Sequence, residues 1–133
     1  MNIERLLLIP PNMLKLGEKQ RIFAWNQHHF IAWVYKAGYE LTFGEAFRPA
    51  KQAALNAKAG VGIRNTLHGL RLAVDWNLFK DGVWLQDSED HRQLGTFWKT
   101  LHPLNRWGGD FRDKDGKPKP DGNHYSMEHD GVK

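Results

Sequence analysis

Thr66-Leu67-His68-Gly69-Leu70-Arg71-Leu72-Ala73-Val74-Asp75-Trp76-Asn77-Leu78 is the stretch on which the reading of this chain turns. From Arg71 to Leu78 it alternates with the period of a β-strand: Leu72, Val74 and Trp76 on one face, Arg71, Ala73, Asp75 and Asn77 on the other. Asp75 stands inside an apolar run, where a carboxylate withdrawn from water needs a partner. His68 precedes it by an odd spacing that would put the two on opposite faces of an unbroken strand. For both to lean into one pocket the chain must bend, and Gly69 is the expected place.

Upstream, Ile22, Trp25, Phe30, Trp33 and Val34 recur near helical spacing, predicting a helix from about Gly17 to Gly38. Tyr39 to Gly44 alternates and is rich in β-formers, which predicts a strand. Pro49 suits the start of a second helix over Ala50 to Ala59, followed by a loop from Gly60 to Thr66. Downstream, Lys80-Asp81-Gly82 reads as a hairpin turn into a short strand, Val83 to Leu85. Ser88 is the expected cap of a helix running to about Leu101. Trp107-Gly108-Gly109 begins a turn, Phe111 to Asp121 is a polar loop expected to face solvent, and Asn123 to Glu128 is a last strand. Helices and hairpin-linked strands without a βαβ rhythm predict an α+β fold, a small antiparallel sheet flanked by helices. The length suits a single domain over residues 1–133.

Composition narrows the chemistry. With no cysteine, any metal must be held by His, Asp or Glu, and disulfides and thiol nucleophiles are excluded. No apolar run reaches the roughly 18 residues of a membrane span, so no stable membrane insertion is expected. Leu6-Leu7-Leu8-Ile9 is too short for a secretory core, and the chain is expected to be made in the cytoplasm without its own export signal. A net charge of +4 favours anionic partners, yet the Lys and Arg residues are scattered and form no basic block. No nucleic-acid partner is predicted, and the chain is expected to be a monomer.

A catalytic zinc site takes three N/O ligands and keeps one position open. His68, Asp75 and a histidine from a separate strand, His124, could supply such a set, with Asp121 three residues before His124 as general base. Each also has a plainer reading. His68 could be a loop histidine, and Asp121 and His124 a polar surface turn.

His68, Ala73 and Asp75, with Asp121-Gly122-Asn123-His124 downstream, resemble the metal signature of a metallopeptidase family. It is the D-alanyl-D-alanine carboxypeptidase and L-alanyl-D-glutamate endopeptidase family, which includes many bacteriophage endolysins. A third block, Glu45-Ala46-Phe47-Arg48-Pro49, resembles the family's arginine-bearing segment, and the resemblance runs from about Phe43 to Glu128. It implies the D-alanyl-D-alanine carboxypeptidase/hedgehog-like zinc peptidase fold and a Zn²⁺ held by His68, Asp75 and His124. It further implies Asp121 as base and Arg48 as the guanidinium that steadies substrate or developing charge. Thr66 replaces the usual Ser and Arg71 the usual Gly; neither position is a ligand. Glu128 is a second candidate base.

The implied activity is hydrolysis of peptidoglycan stem peptides at the L-Ala–D-Glu bond, in an endolysin-like protein released to the wall by another phage protein. The alternatives are a D-Ala–D-Ala carboxypeptidase, a muramidase-type glycosidase built on a carboxylate pair such as Glu40, Glu45 or Glu128, and a non-catalytic wall-binding module. For the carboxypeptidase alternative, Arg64 and Arg71 are the cations placed to supply a pocket for the terminal carboxylate. Trp76 and Trp107 are expected to shape its walls.

Overall fold

The computed structural model describes residues 2–49, 52, 55 and 66–133. The helix expected over Ala50 to Ala59 and the loop from Gly60, with Arg64, lie outside the described residues except at isolated positions. Ile3–Leu7 forms a short helix, α1, capped by the Asn2 side chain and not foreseen in the sequence. Leu16–Lys36 is the long helix α2. Its buried stripe is Lys19, Ile22, Phe23, Asn26, Gln27, Phe30 and Val34, which mixes amides and a lysine with the apolar residues. Trp25, expected on that stripe, faces out at 37% exposure.

Five strands form the sheet: β1 Glu40–Phe43, β2 Ala73–Lys80, β3 Val83–Leu85, β4 Asn105–Trp107 and β5 His124–Met127. All pairings are antiparallel, in the order β1-β2-β5-β4 with β3 also on β2. The β2–β3 turn is Asp81-Gly82, both residues at positive φ, as a tight hairpin that follows the strand twist requires. β4 was not expected; three residues between a helix and a glycine pair carry too little alternation to announce a strand.

Strand β2 begins two residues later than the sequence suggested. Leu67–Leu70 is a 3-10 turn, and Arg71 closes it in the left-handed conformation, φ 57° and ψ 36°. The bend therefore falls on Arg71 and not on Gly69, which has ordinary backbone angles for the turn. Alternation then does the sorting. Val74, Trp76, Leu78, Tyr125 and Met127 belong to the core, which α2 and the helix α3, Arg92–Thr100, complete with Phe30, Leu94 and Trp98. The Trp98 ring meets Phe23, Phe30 and Tyr125 edge-on, a favoured arrangement of aromatic quadrupoles. Asp75 and His124 alternate with these residues and point to the opposite face.

Ser88 does not cap α3. A 3-10 turn over Ser88–His91 precedes that helix, with Asp87 and Asp90 as its reciprocal caps. The Ser88 hydroxyl instead accepts the amide of Gly122 at 2.9 Å.

Candidate metal centre

Asp75 and His124 are cross-strand partners in the β2–β5 register, so the ladder itself sets their side chains next to each other. His68 arrives from the 3-10 turn, whose Arg71 cap cancels the odd spacing. The result is a cluster. His68 Nε2 lies 3.3 Å and His124 Nδ1 3.4 Å from Asp75 Oδ1, and one ligating atom from each residue falls within 4.8 Å of the others.

Both histidines are buried and Asp75 partly so. Among the described residues, Asp75 Oδ1 and His124 Nε2 are buried without a hydrogen-bond partner, and so is His68 Nδ1 on the side of the ring that turns to Glu45. Such orphans are costly unless something else satisfies them. Two imidazoles and a carboxylate form an N/N/O donor set without thiolate, which fits a zinc-type ion with an open position.

Electrostatics agree with that fit. Burial opposes ionisation of Asp75, but the two imidazoles beside it prevail and hold its carboxyl down at about 2. Burial also opposes a charge on His68, yet Asp75, Glu45 and the Ala46 carbonyl outweigh it and raise its pKa. The cluster thus favours positive charge at its centre.

The segment after β1 runs beside these three side chains. Asp75 N donates to the Glu45 carbonyl at 2.7 Å, Gly44 N to the Asp75 carbonyl at 2.9 Å, and Arg48 N to the His68 carbonyl at 3.2 Å. A Cβ on Gly44 would stand 2.8 Å from the Asp75 carbonyl oxygen, so the close approach needs a glycine. Arg48 lines the cleft and is ion-paired to Glu45. Glu45 Oε1 also lies 3.6 Å from His68 Nδ1, behind the ring face that turns to Asp75. In the sequence Glu45 figures in the arginine-bearing block and as a possible glycosidase carboxylate, not as a partner of His68; its i,i+3 spacing to Arg48 was the available signal. A carboxylate behind a ligand imidazole orients the ring and selects its tautomer.

Asp121 sits at the edge of the same cleft, of about 900 Å³. Its turn is clamped on three sides. Asp121 N donates to the Gly108 carbonyl at 2.8 Å, Gly122 N to Ser88 Oγ, and Trp107 Nε1 to the Gly122 carbonyl at 2.7 Å. A Cβ on Gly108 would come within 2.0 Å of the Asp121 carbonyl oxygen and 2.8 Å of His124 Cβ. Crowding by the cleft walls raises the Asp121 pKa and the Asp75 charge adds to it, against the pull of His124 and His68. Asp121 is nevertheless exposed as a residue, so water limits the effect. A carboxylate shifted upward is the better proton acceptor.

The remaining sequence candidates fall elsewhere. Glu128 is paired with Arg106 at 3.4 Å and does not line the cleft. Arg71 stacks its guanidinium 4.0 Å from the Phe47 ring centroid, outside the cleft lining. Trp107 lines the cleft, whereas Trp76 is buried against α2, its Nε1 donating to Gln27 Oε1 at 3.0 Å. The loop from Phe111 to Asp121 faces solvent as expected, and it also lines the cleft through Phe111, Arg112, Lys119 and Pro120.

No family model matches the sequence, and no curated protein does. Solved structures share the fold. A Serratia marcescens L-Ala D-Glu endopeptidase, ChiX, is 17% identical over 84% of this chain and 85% of its own, with a TM-score of 0.63. A variant of the vancomycin-resistance D,D-pentapeptidase VanY, in complex with Zn(II), is 16% identical over 79% of this chain and 70% of its own, with a TM-score of 0.55. The helices and small antiparallel sheet described above are therefore the fold of these two peptidases.

Proposed function

We propose that the chain is a zinc-dependent peptidase of bacterial peptidoglycan that hydrolyses the L-Ala–D-Glu bond of the stem peptide, in the manner of an endolysin. One observation carries the reading. His68, Asp75 and His124 converge, with orphaned polar atoms, beside Asp121 and Arg48 in one open cleft. The likeness of the fold to an L-Ala D-Glu endopeptidase and to a zinc-containing D,D-pentapeptidase supports it.

His68, Asp75 and His124 would hold the ion, which supplies Lewis acidity to a water and a peptide carbonyl. Asp121 accepts the proton that water loses on attack and returns it to the departing amine. Arg48, fixed by Glu45 and by the hydrogen bond its backbone N–H donates to the His68 carbonyl, faces the negative charge that builds on the carbonyl oxygen. Glu45 holds the His68 ring. Gly108, Ser88 and Trp107 hold the turn that carries Asp121.

Metal analysis of the purified protein, followed by mass spectrometry of digested peptidoglycan, tests the reading. One zinc per chain, and fragments that begin with D-Glu, are expected. A metal-free protein, or activity indifferent to chelation, would sink it. Release of D-Ala alone would make the enzyme a D-Ala–D-Ala carboxypeptidase, the specificity closer to the pentapeptidase neighbour.

A further inference from the structure

The cations of the cleft are not equivalent. Arg48 and Arg106 already have carboxylates, Glu45 and Glu128. Arg112 donates only to the Gly116 carbonyl, at 2.9 Å, and among the described residues neither Arg112 nor Lys119 is paired with an acid. Both line the cleft, as does Lys133, which is likewise not paired with an acid among the described residues but lies on a different segment.

Arg112 and Lys119 stand on a braced loop. Arg112 bridges Pro118, Lys119 N donates to the Phe111 carbonyl at 2.8 Å, and Asp113 N to the Lys117 carbonyl at 2.9 Å. The Asp113 carboxylate accepts the amides of Asp115 and Lys117 at 2.9 and 3.0 Å. Two unpaired cations are thereby held on neighbouring positions of one arm, and that arm ends at Asp121.

From this placement we infer that Arg112 and Lys119 form a subsite for a carboxylate on the leaving side of the scissile bond. The inference rests on the proposed function for its direction. The residue that returns a proton to the departing amine terminates the arm, so the arm borders the leaving half of the substrate. In a stem peptide the leaving residue bears an α-carboxylate on the carbon that carries this amine. That holds for D-Glu cut from L-Ala and for a terminal D-Ala alike. A carboxylate there meets the Arg112 fork and the Lys119 ammonium; an amide leaves both cations unmatched.

The test compares two synthetic stem peptides, L-Ala-γ-D-Glu-L-Lys with the glutamyl α-carboxylate free and the same peptide carrying the α-amide. The zinc-loaded wild type is expected to favour the acid by about tenfold in kcat/KM, the scale of a charge-assisted contact pair at a partly solvated site. In the double variant Arg112→Gln/Lys119→Gln the ratio should fall toward one with zinc content intact. Lys117→Gln, on the same arm but outside the cleft, should keep it. Higher salt should shrink the wild-type ratio and leave the variant's alone.

Equal rates on both peptides, in a wild type that binds zinc and cuts them, would overturn the subsite and leave the peptidase. If the protein neither takes up zinc nor cuts wall peptides, the peptidase reading fails. Calorimetric binding of the same two peptides then decides the subsite alone. Tighter binding of the acid that vanishes in the double variant supports it, and equal binding overturns it.

Discussion

The two walls of the cleft are built by different means. On one side Asp75 and His124 are set by strand register, with Tyr125, Trp76 and Leu78 buried directly behind them. On the other, Arg112, Lys119 and Asp121 ride on an exposed arm braced by its own hydrogen bonds and clamped at Gly108 and Ser88. A core-backed wall cannot shift without unpacking the protein, which suits groups that must hold an ion at fixed separation. An exposed arm tolerates change, which suits groups that choose among substrates. Substitutions should accordingly separate into loss of the site and retuning of it.

The largest effect should come from the rigid wall. His68→Ala or His124→Ala is expected to abolish both zinc binding and activity while the fold, read by circular dichroism, persists. Full zinc content in both variants would remove the ligand set as drawn.

Next is Asp121, at the boundary of the two walls. Asp121→Asn should retain zinc and lose about 10²–10⁴-fold in kcat, the usual worth of a general base. Glu128→Gln, which only breaks the pair with Arg106, should leave kcat near wild type. The reverse pattern would move the base to Glu128.

A third test probes the packing behind the register. His91 is buried, its Nδ1 2.8 Å from the Tyr125 hydroxyl, and burial pushes its pKa down to about 4 despite the charge of Asp90. The folded state therefore prefers the neutral ring, while the unfolded chain protonates near 6.5. Stability from this residue is complete above about pH 6.5 and is lost as pH falls toward 4, by about 3 kcal/mol in all. Urea titrations across that window should show the slope, and His91→Gln should flatten it. An unchanged slope in the variant would assign the acid sensitivity elsewhere.

Glu45→Gln is milder. It removes the charge behind His68 and should weaken zinc by about 10–100-fold without emptying the site at saturating metal. Unaltered affinity in a competitive chelator titration would reduce Glu45 to a partner of Arg48.

The smallest effect belongs to Arg71. A left-handed backbone costs a side-chain-bearing residue about 1 kcal/mol, and the stack on Phe47 returns about 0.5–1 kcal/mol. Arg71→Gly should thus raise stability by no more than about 1 kcal/mol, with zinc affinity unchanged. A clear loss of stability would show that the stack outweighs the strain.

Much of the rigid wall was legible because it obeys local rules. The alternation from Leu72 to Leu78 put Asp75 opposite the core face, and a carboxylate in such a run signals a partner. Asp81-Gly82 announced its hairpin in the same way. What was misread depends on contacts distant in sequence. The bend fell on Arg71, which caps the 3-10 turn Leu67–Leu70, and not on the glycine within it. Ser88 looked like a cap, yet its hydroxyl is taken by Gly122, far along the chain. The arm from Phe111 to Asp121 is surface, as its polarity announced, but polarity alone cannot say which surface faces a cleft. Glu45 was noted, but not as a partner of His68, because that neighbour in space sits on another segment.

The pairing of Asp75 with His124 also bears on how the protein reaches its native state. The two residues are 49 apart in sequence, and β5 is the last strand of the sheet. His124, the third of the proposed ligands, therefore joins the other two only when a long loop has closed, which is entropically expensive. A slip of one position in that closing strand would turn His124 into the core and Tyr125 toward the cleft. An ion held by His68, Asp75 and His124 would favour the correct register of β5 over a slipped one, because only the correct register brings the three side chains together. Bound metal would accordingly act mainly by slowing unfolding, leaving the rate of folding close to that of the metal-free chain.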